Sequence, residues 1–378
     1  MHRVRLQLRH ASSVAQASTR LPGPFRVLAI ETSADDSAAA VVDANRKIWS
    51  SVIVKQFEYH QPHGGIQPLI ALRAHQRNLP DAVRRALLDA QLSMQDIDGV
   101  AFTRGPGLPG CLGVGCNAAK TLAAATNKPL VGVHHMQGHA LTALLTTETP
   151  PQFPFVTLLV SGGHTMVVLA TGNSEFQVIA NTVDRSVGST IDRVAGLLQI
   201  KWSDLGPGAA LEQYCAEPVE DDGPRPETPT IMPGQLAFSF AGLHSWVERF
   251  IHNAGGVENV YKRALARAFL DTAFGHVETK LKMSLRWCAD NNHDIRQIVV
   301  SGGVASNMLL RARLQNALPT LEFVFPEPSL CTDNAVMIAW ASMHRFLAND
   351  HDEFTIGPLP KWSIEDIRNP HEPDITEL

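Results

Sequence analysis

Hydrophobic runs separated by short polar turns open the folded part of the chain. The runs are RVLAIETS (26–33), SAAAVVDA (37–44) and KIWSSVIV (47–54). Because only short turns separate them, they predict an antiparallel meander. The segment 72–91 then has apolar residues at helical spacing and predicts a helix that Pro80 breaks or kinks.

The second half of the chain repeats the layout of the first. A strand running into a Gly/Pro-rich loop is predicted at 99–115, and a helix of small residues at 116–126. The stretch 155–170 indicates strand, glycine turn and strand again, and 186–200 has helical spacing. The other predicted elements are a Pro- and acid-rich surface loop at 217–234, a helix at about 257–291, a strand–Gly-Gly–helix unit at 295–314 and a helix at 333–347. This alternation favours an α/β protein of two sheet-based lobes with a cleft between them.

Composition narrows the classes of protein that this chain can belong to. Its 378 residues, 44% hydrophobic, are enough for a large core and about two lobes. A net charge of −5 does not indicate a general nucleic-acid binder, although it leaves a local basic patch open. Five cysteines without a CxxC pair argue against a disulfide framework and favour a reducing compartment. No apolar stretch has the length of a membrane span.

The first twenty residues differ from the rest of the chain. They contain four arginines and several serines, and no acidic residue precedes Glu31. This composition is typical of a mitochondrial transit peptide, and a basic disordered tail is the plainer alternative. We therefore expect residues 1–24 to be a transit peptide that directs the chain to the mitochondrial matrix.

Two identical SGG turns indicate a nucleotide site. They lie at 161–163 and 301–303, each directly after an apolar strand. Glycine lets backbone amides approach a phosphate, and a following helix adds a favourable dipole. Two ordinary tight turns remain the alternative. The absence of GxxxxGK[ST] excludes a P-loop NTPase, and the absence of GxGxxG argues against a Rossmann site.

His135 and His139 stand four residues apart in VHHMQGH. On a helix this spacing places both imidazoles on one face, where they could bind one metal ion. A zincin peptidase needs HExxH, whereas Met136 and Gln137 follow the first histidine here, so that class is disfavoured. Two histidines are too few for a metal site, and the pattern alone fits a structural pair better.

Eight motifs occur in a fixed order along the chain. They are IETSADD, GGIQPLIALRAH, RGPGLPGCLGVG, HHMQGH, LLVSGGHT, FSFAGLHS, SGGVASN and CTDNAVMIA. Together they make the chain, from residue 26 to about 347, resemble the tRNA N6-adenosine threonylcarbamoyltransferases, and its N-terminal composition is similar to that of their mitochondrial branch. The resemblance implies the actin-like ATPase (ASKHA) fold, with two lobes and a central cleft. The expected parts are an N-terminal lobe at 25–134 completed by 331–356, a C-terminal lobe at 135–330 and a tail at 357–378.

The resemblance also implies a reaction and its residues. The family transfers the threonylcarbamoyl group of threonylcarbamoyl-adenylate to N6 of adenosine 37, in tRNAs that read codons starting with A, and AMP leaves. One divalent ion per subunit, Fe or Zn, would be held by His135, His139 and Asp333. Asp35 matches an acidic residue that faces the reacting end and is expected to be catalytic. The residues implied to hold the adenylate are Leu159, Val160, Ser161, Gly162, Gly163, Asp192, Gly208 and Asn307. The expected partners are tRNA, the adenylate and a second copy of the chain, with no membrane.

Three positions depart from the usual family pattern. Ala34 replaces a cysteine, Leu69 stands where many relatives have glutamate, and His244 replaces a lysine. Two other functions also stay open. A small-molecule kinase or ATPase of the actin fold would use the glycine turns but would give the two histidines and Asp333 no role. A catalytically silent assembly partner of the same fold is disfavoured by the retained ligand set.

Overall fold

A computed structural model describes residues 23–60, 63, 65–202, 206–218 and 223–370. The predicted transit peptide, except its last two residues, and the last eight residues of the predicted tail lie outside these ranges. In the described part of the chain, no helix is long and apolar enough to cross a membrane.

The first sheet has five strands in the order β3-β2-β1-β4-β5. They are β1 (Arg26–Glu31), β2 (Ser37–Asp43), β3 (Ile48–Val54), β4 (Gly99–Gly105) and β5 (Leu130–His134). β1, β2 and β3 are antiparallel, which confirms the predicted meander, and β4 and β5 continue the sheet parallel to β1. Every residue of β1 and β2 is buried, so both strands are continuous apolar runs rather than alternating ones.

The second sheet repeats the topology of the first, in the order β10-β9-β6-β7-β8. Its strands are β6 (Phe155–Val160), β7 (Thr165–Gly172), β8 (Glu175–Asn181), β9 (Gln297–Ser301) and β10 (Glu322–Val324). β6, β7 and β8 form an antiparallel meander, and β9 and β10 continue the sheet parallel to β6. The repeat seen in the sequence thus extends to a complete five-stranded sheet.

Helices separate and cover the two sheets. They are α1 (Phe57–His60), α2 (Pro68–Asp89), α3 (Pro109–Thr126), α4 (His135–Thr146), α5 (Val187–Leu197), α6 (Pro207–Ala216), α7 (Ala241–Asn253), α8 (Lys262–Asp290), α9 (Met308–Ala317), α10 (Pro328–Cys331) and α11 (Ala335–Leu347). α2 and α3 pack on the outer face of the first sheet, and α5 to α9 cover the second. α4 and α11 lie between the sheets and share one apolar cluster with both.

α2 and α3 differ from the sequence prediction. α2 continues through Pro80, so the predicted break is wrong. Leu79 and Ala82 on either side of the proline are buried, and this packing outweighs the loss of one backbone hydrogen bond. α3 begins at Pro109, seven residues before the predicted start, because its glycines allow close packing. At Gly115 a side chain would overlap the Thr32 hydroxyl of the neighbouring segment.

The segment after α11 contacts both sheets. The backbone N–H of Leu359 donates to the Arg104 carbonyl of β4 at 2.7 Å. Farther along, the Glu365 carboxylate accepts a hydrogen bond from the backbone N–H of Val178 in β8 at 2.9 Å. The C-terminal segment therefore lies across the edge of both halves of the molecule. The boundaries expected for the lobes and the tail stay predictions.

Candidate metal and nucleotide site

The two histidines of the HHMQGH motif and Asp333 meet at the start of α4. His135 is the first residue of this helix, and His139 lies one turn later on the same face. Asp333 lies in the turn between α10 and α11. Its Oδ1 is 3.4 Å from His135 Nε2 and 3.0 Å from His139 Nε2. The structure thus brings together three residues that are up to 198 positions apart in the sequence.

This group fits a divalent metal ion. The three ligand atoms lie within 4.8 Å of one another, and no other such group occurs among the described residues. Two imidazoles and one carboxylate form a donor set that zinc and iron accept, and it leaves coordination positions open. His139 Nδ1 is buried and has no hydrogen-bond partner in the described ranges, so the contacts of this ring are directed to its Nε2 side.

Electrostatic interactions couple both histidines to Asp333. Burial lowers the pKa of His135, but the carboxylates of Asp333 and Glu31 outweigh burial and raise that pKa to about 10. Burial raises the pKa of Asp333, but His135 and His139 hold it well below its usual range. Asp333 therefore carries a negative charge at neutral pH, as a metal ligand must.

The two SGG turns lie next to each other at the carboxyl ends of β6 and β9. These strands are parallel neighbours, and Leu159 pairs with Ser301 at their ends. Gly302 has φ of 99°, and a side chain there would overlap the carbonyl oxygen of Val160. A side chain at Gly188, in the first turn of α5, would overlap the Ser161 carbonyl. Both turns and the start of α5 are therefore in close backbone contact.

The first SGG turn presents its glycines to open space. A Cβ added to Gly162 or Gly163 would meet no protein atom within 4 Å. The turn itself is fixed by Ser161, whose N–H donates to the His164 carbonyl at 2.8 Å and whose hydroxyl accepts from the His164 N–H at 3.0 Å. Fixed glycine amides beside open space are the arrangement that binds phosphate in proteins.

Three further residues expected to hold the adenylate lie around these turns. Asp192 of α5 accepts a hydrogen bond from the backbone N–H of Gly208, and burial raises the pKa of Asp192 to about 6. Asn307 is almost completely buried, and its side-chain oxygen caps α9 by accepting from the Leu310 N–H at 3.0 Å. Asp192 and Gly208 are thus in contact, and Asn307 ends the loop that follows the second SGG turn.

Asp35 connects the two parts of the site electrostatically. It lies in the turn between β1 and β2, and burial together with the Asp333 carboxylate raises its pKa to about 6. In turn, the charge of Asp35 adds to the effect of burial on the pKa of Asp192. Asp35 thus interacts electrostatically with both Asp333 and Asp192.

Sequence reasoning missed Glu31, Asp36 and His164 as site residues. Glu31 Oε2 is 3.2 Å from His135 Nδ1, and the His164 ring centroid is 6.2 Å from that of His135. Burial raises the pKa of Asp36 to about 8, with contributions from Asp35 and Asp333. All three lie inside motifs already quoted. The available signal was a polar residue next to an apolar strand: Glu31 ends β1, and Asp36 and His164 directly precede β2 and β7.

The raised pKa of Asp36 predicts a pH-dependent cost to stability. In the unfolded chain this carboxyl ionises near pH 3.8, whereas in the folded chain it keeps its proton up to about pH 8. The folded state therefore binds more protons between these values, and stability falls as the pH rises through them. In metal-free protein, we expect Asp36→Asn to raise the midpoint of thermal unfolding by about 2 °C at pH 8 and by less at pH 5.

The exposed Asp89, at the end of α2, provides the matched control. Asp89→Asn should change the unfolding midpoint equally, and little, at both pH values. A gain for Asp36→Asn that is the same at pH 5 and pH 8 would contradict the role of its ionisation.

Both the sequence and the fold of this chain resemble those of known proteins. The family model of the tRNA N6-adenosine threonylcarbamoyltransferases (TsaD) matches residues 47–340. Component A of the (R)-2-hydroxyglutaryl-CoA dehydratase of Acidaminococcus fermentans is 14% identical with a TM-score of 0.52, over 85% of this chain and 98% of that one. HypF of T. kodakarensis is 12% identical with a TM-score of 0.58, over 87% of this chain and 49% of HypF.

At such identities the structural similarity concerns the fold alone. It confirms the predicted α/β architecture of two actin-like ATPase lobes. The family match is more specific, because it covers most of the sequence, including both histidines and Asp333. The chain therefore belongs to the tRNA N6-adenosine threonylcarbamoyltransferase family, whose members are transferases that modify tRNA.

Proposed function

We propose that this protein transfers the threonylcarbamoyl group from threonylcarbamoyl-adenylate to N6 of adenosine 37 in mitochondrial tRNAs that read codons starting with A. AMP is the leaving product, and a homodimer in the matrix is the active form. The proximity of the two parts of the site carries the proposal, because the ring of His164, which follows the first SGG turn, lies 6.2 Å from the ring of His135. A donor with a nucleotide end and a reactive acyl end would extend from the SGG turns to the group of His135, His139 and Asp333.

The nucleotide end fits the second lobe. Gly162 and Gly163 border open space, where their backbone amides could donate hydrogen bonds to a phosphate. Asp192 lies beside the same turn, on the helix that packs against it, and can accept hydrogen bonds from ribose hydroxyls. These contacts would fix the donor by its AMP part and leave the acyl group free to point towards Asp35.

The acyl end fits the ligand group at the start of α4. His135, His139 and Asp333 would hold an Fe or Zn ion, which would supply Lewis-acid polarisation of a carbonyl and could anchor a carboxylate. Asp35 can accept the proton that the N6 amine loses as the new C–N bond forms and the bond to the AMP phosphate breaks. With a pKa of about 6, Asp35 is ionised at neutral pH yet more basic than an ordinary aspartate.

Orientation of the two substrates contributes most to the rate in this proposal. The N6 amine of adenine is a poor nucleophile because its lone pair is delocalised into the ring. Holding the amine and the carbonyl together in the right geometry should therefore raise the reaction rate more than proton transfer alone. A small-molecule kinase of the same fold would use the glycine turns, but it would give His135, His139 and Asp333 no function.

Mass spectrometry of nucleosides tests the reaction and its location together. In cells that lack the protein, N6-threonylcarbamoyladenosine should disappear from mitochondrial tRNA and persist in cytosolic tRNA. The full chain should restore the modification, and a version without residues 1–24 should not. Unchanged mitochondrial tRNA would contradict the reaction. Full rescue by the shortened chain would contradict only the role of residues 1–24 in import.

A further inference from the structure

Glu31 is a buried carboxylate directly behind one of the metal ligands. It ends β1, and only 1% of it is exposed. Its Oε1 accepts a hydrogen bond from the backbone N–H of Ser33 at 2.6 Å. Its Oε2 accepts from the Thr103 hydroxyl and lies 3.2 Å from His135 Nδ1. Such a buried charge is costly unless specific contacts compensate it, so these contacts indicate a definite role.

Glu31 and Asp333 lie on opposite sides of the His135 ring. The Nε2 atom points towards Asp333 at 3.4 Å, and the Nδ1 atom points towards Glu31. A neutral imidazole carries its proton on only one nitrogen. When a bound ion replaces the proton on Nε2, the Glu31 carboxylate, which can only accept, keeps the remaining proton on Nδ1. The lone pair of Nε2 is then available on the side of Asp333.

The second histidine of the pair lacks this support. His139 Nδ1 is buried without a hydrogen-bond partner in the described residues, although its Nε2 also faces Asp333. The two imidazoles are therefore not equivalent. His135 Nδ1 contacts the Glu31 carboxylate and the Ser33 hydroxyl, each at 3.2 Å, whereas the His139 ring is held by packing and by the ligand contact alone.

We propose that Glu31 is a positioning residue of the metal site. Its carboxylate accepts the Nδ1–H of His135, which fixes the tautomer and the ring orientation that offer Nε2 to a divalent ion. A carboxylate partner also makes the ligating nitrogen a better electron donor. This inference rests on the metal part of the proposed function and extends it to a residue outside the ligand set. The competing role is purely structural, with Glu31 joining β1 to β4 through Thr103.

Zinc affinity separates the two roles. We would measure it on the full chain, made metal-free, by competition with a chromophoric chelator for Zn²⁺. Glu31→Gln has the shape of the native side chain, but its single oxygen cannot accept from both Ser33 and His135. We expect it to weaken zinc binding about 10–100-fold. Thr103→Val removes the other hydrogen bond to the same carboxylate oxygen and should keep an affinity near that of the unmodified protein.

Nuclear magnetic resonance of the zinc-loaded, unmodified protein gives an independent readout. Long-range proton–nitrogen spectra should show His135 protonated at Nδ1 and bound to zinc through Nε2. Zinc bound through Nδ1 would overturn the proposal, even if Glu31→Gln failed to fold. Equal zinc affinity in Glu31→Gln and the unmodified protein would overturn it as well. So would an equal loss of affinity in Thr103→Val. An unmodified protein that binds neither Zn²⁺ nor Fe²⁺ would refute the metal site itself, together with the role of Glu31.

Discussion

His139→Ala and Asp333→Ala are each expected to remove the bound ion and to lower threonylcarbamoyl transfer by about 100-fold or more. The site offers three protein ligands, and His139 Nε2 lies 3.0 Å from Asp333 Oδ1. With either residue gone, two protein ligands remain, and they hold a divalent ion poorly. Secondary structure should persist in both variants, because the large cores on both sheets do not depend on the ion.

His344 provides a matched control for these variants. It is a histidine of α11 that lies away from the ligand group, and its Nε2 is 2.8 Å from the Ser174 hydroxyl. His344→Ala should lose some stability and keep both metal and activity. Elemental analysis, circular dichroism and a tRNA transfer assay on the same preparations would decide the matter. Full metal occupancy in Asp333→Ala, or normal transfer by His139→Ala, would remove this group from the mechanism.

Substitution of one glycine in each SGG turn is expected to have a different effect: on nucleotide affinity at Gly163 and on stability at Gly302. At Gly163 a side chain would meet no protein atom, so Gly163→Val should leave stability nearly unchanged. It would fill the space where a phosphate approaches, and we expect AMP to bind at least about 10-fold more weakly. At Gly302 the positive φ and the overlap with Val160 make Gly302→Ala destabilising by about 2–4 kcal/mol.

Calorimetry with AMP and denaturant unfolding measure the two effects separately. Gly196, in α5, serves as the control, because a Cβ there would also meet no atom and its φ is not in the left-handed region. Gly196→Ala should leave the affinity unchanged and should raise stability by no more than about 1 kcal/mol, the gain expected for alanine over glycine in a helix. Undiminished AMP binding by Gly163→Val would show that the first turn does not hold the nucleotide. A fully stable Gly302→Ala protein would contradict the close contact between the two turns.

Local pattern was sufficient to predict the elements whose signal lies within a few residues. The three strands of the first meander and both glycine turns follow directly from the apolar runs and from the polar and glycine residues that separate them. β8 and β10 were missed. β10 has only three residues, and β8 alternates between exposed and partly buried positions at its start. Such short or half-exposed strands are defined by the strand that they pair with, which periodicity in the sequence does not identify.

The residues of the candidate site also could not all be identified from local sequence pattern. The spacing of His135 and His139 indicates a shared face, but their third ligand lies 194 positions beyond His139. Only the resemblance to a family pointed to Asp333. Glu31 was not singled out at all, because a glutamate that ends an apolar strand has the pattern of an ordinary strand terminus. Its partner on α4 is 104 positions away, and only the folded chain brings the two together.

The three residues expected to bind the metal lie on two of the chain's crossings between the sheets. α4 follows β5, the last strand of the first sheet, and leads to β6, the first strand of the second. Asp333 lies where the chain returns from β10 to α11, which packs back on the first sheet. An ion held by His135, His139 and Asp333 would therefore cross-link these two crossings. Its loss is expected to loosen the contact between the sheets more than the core of either sheet.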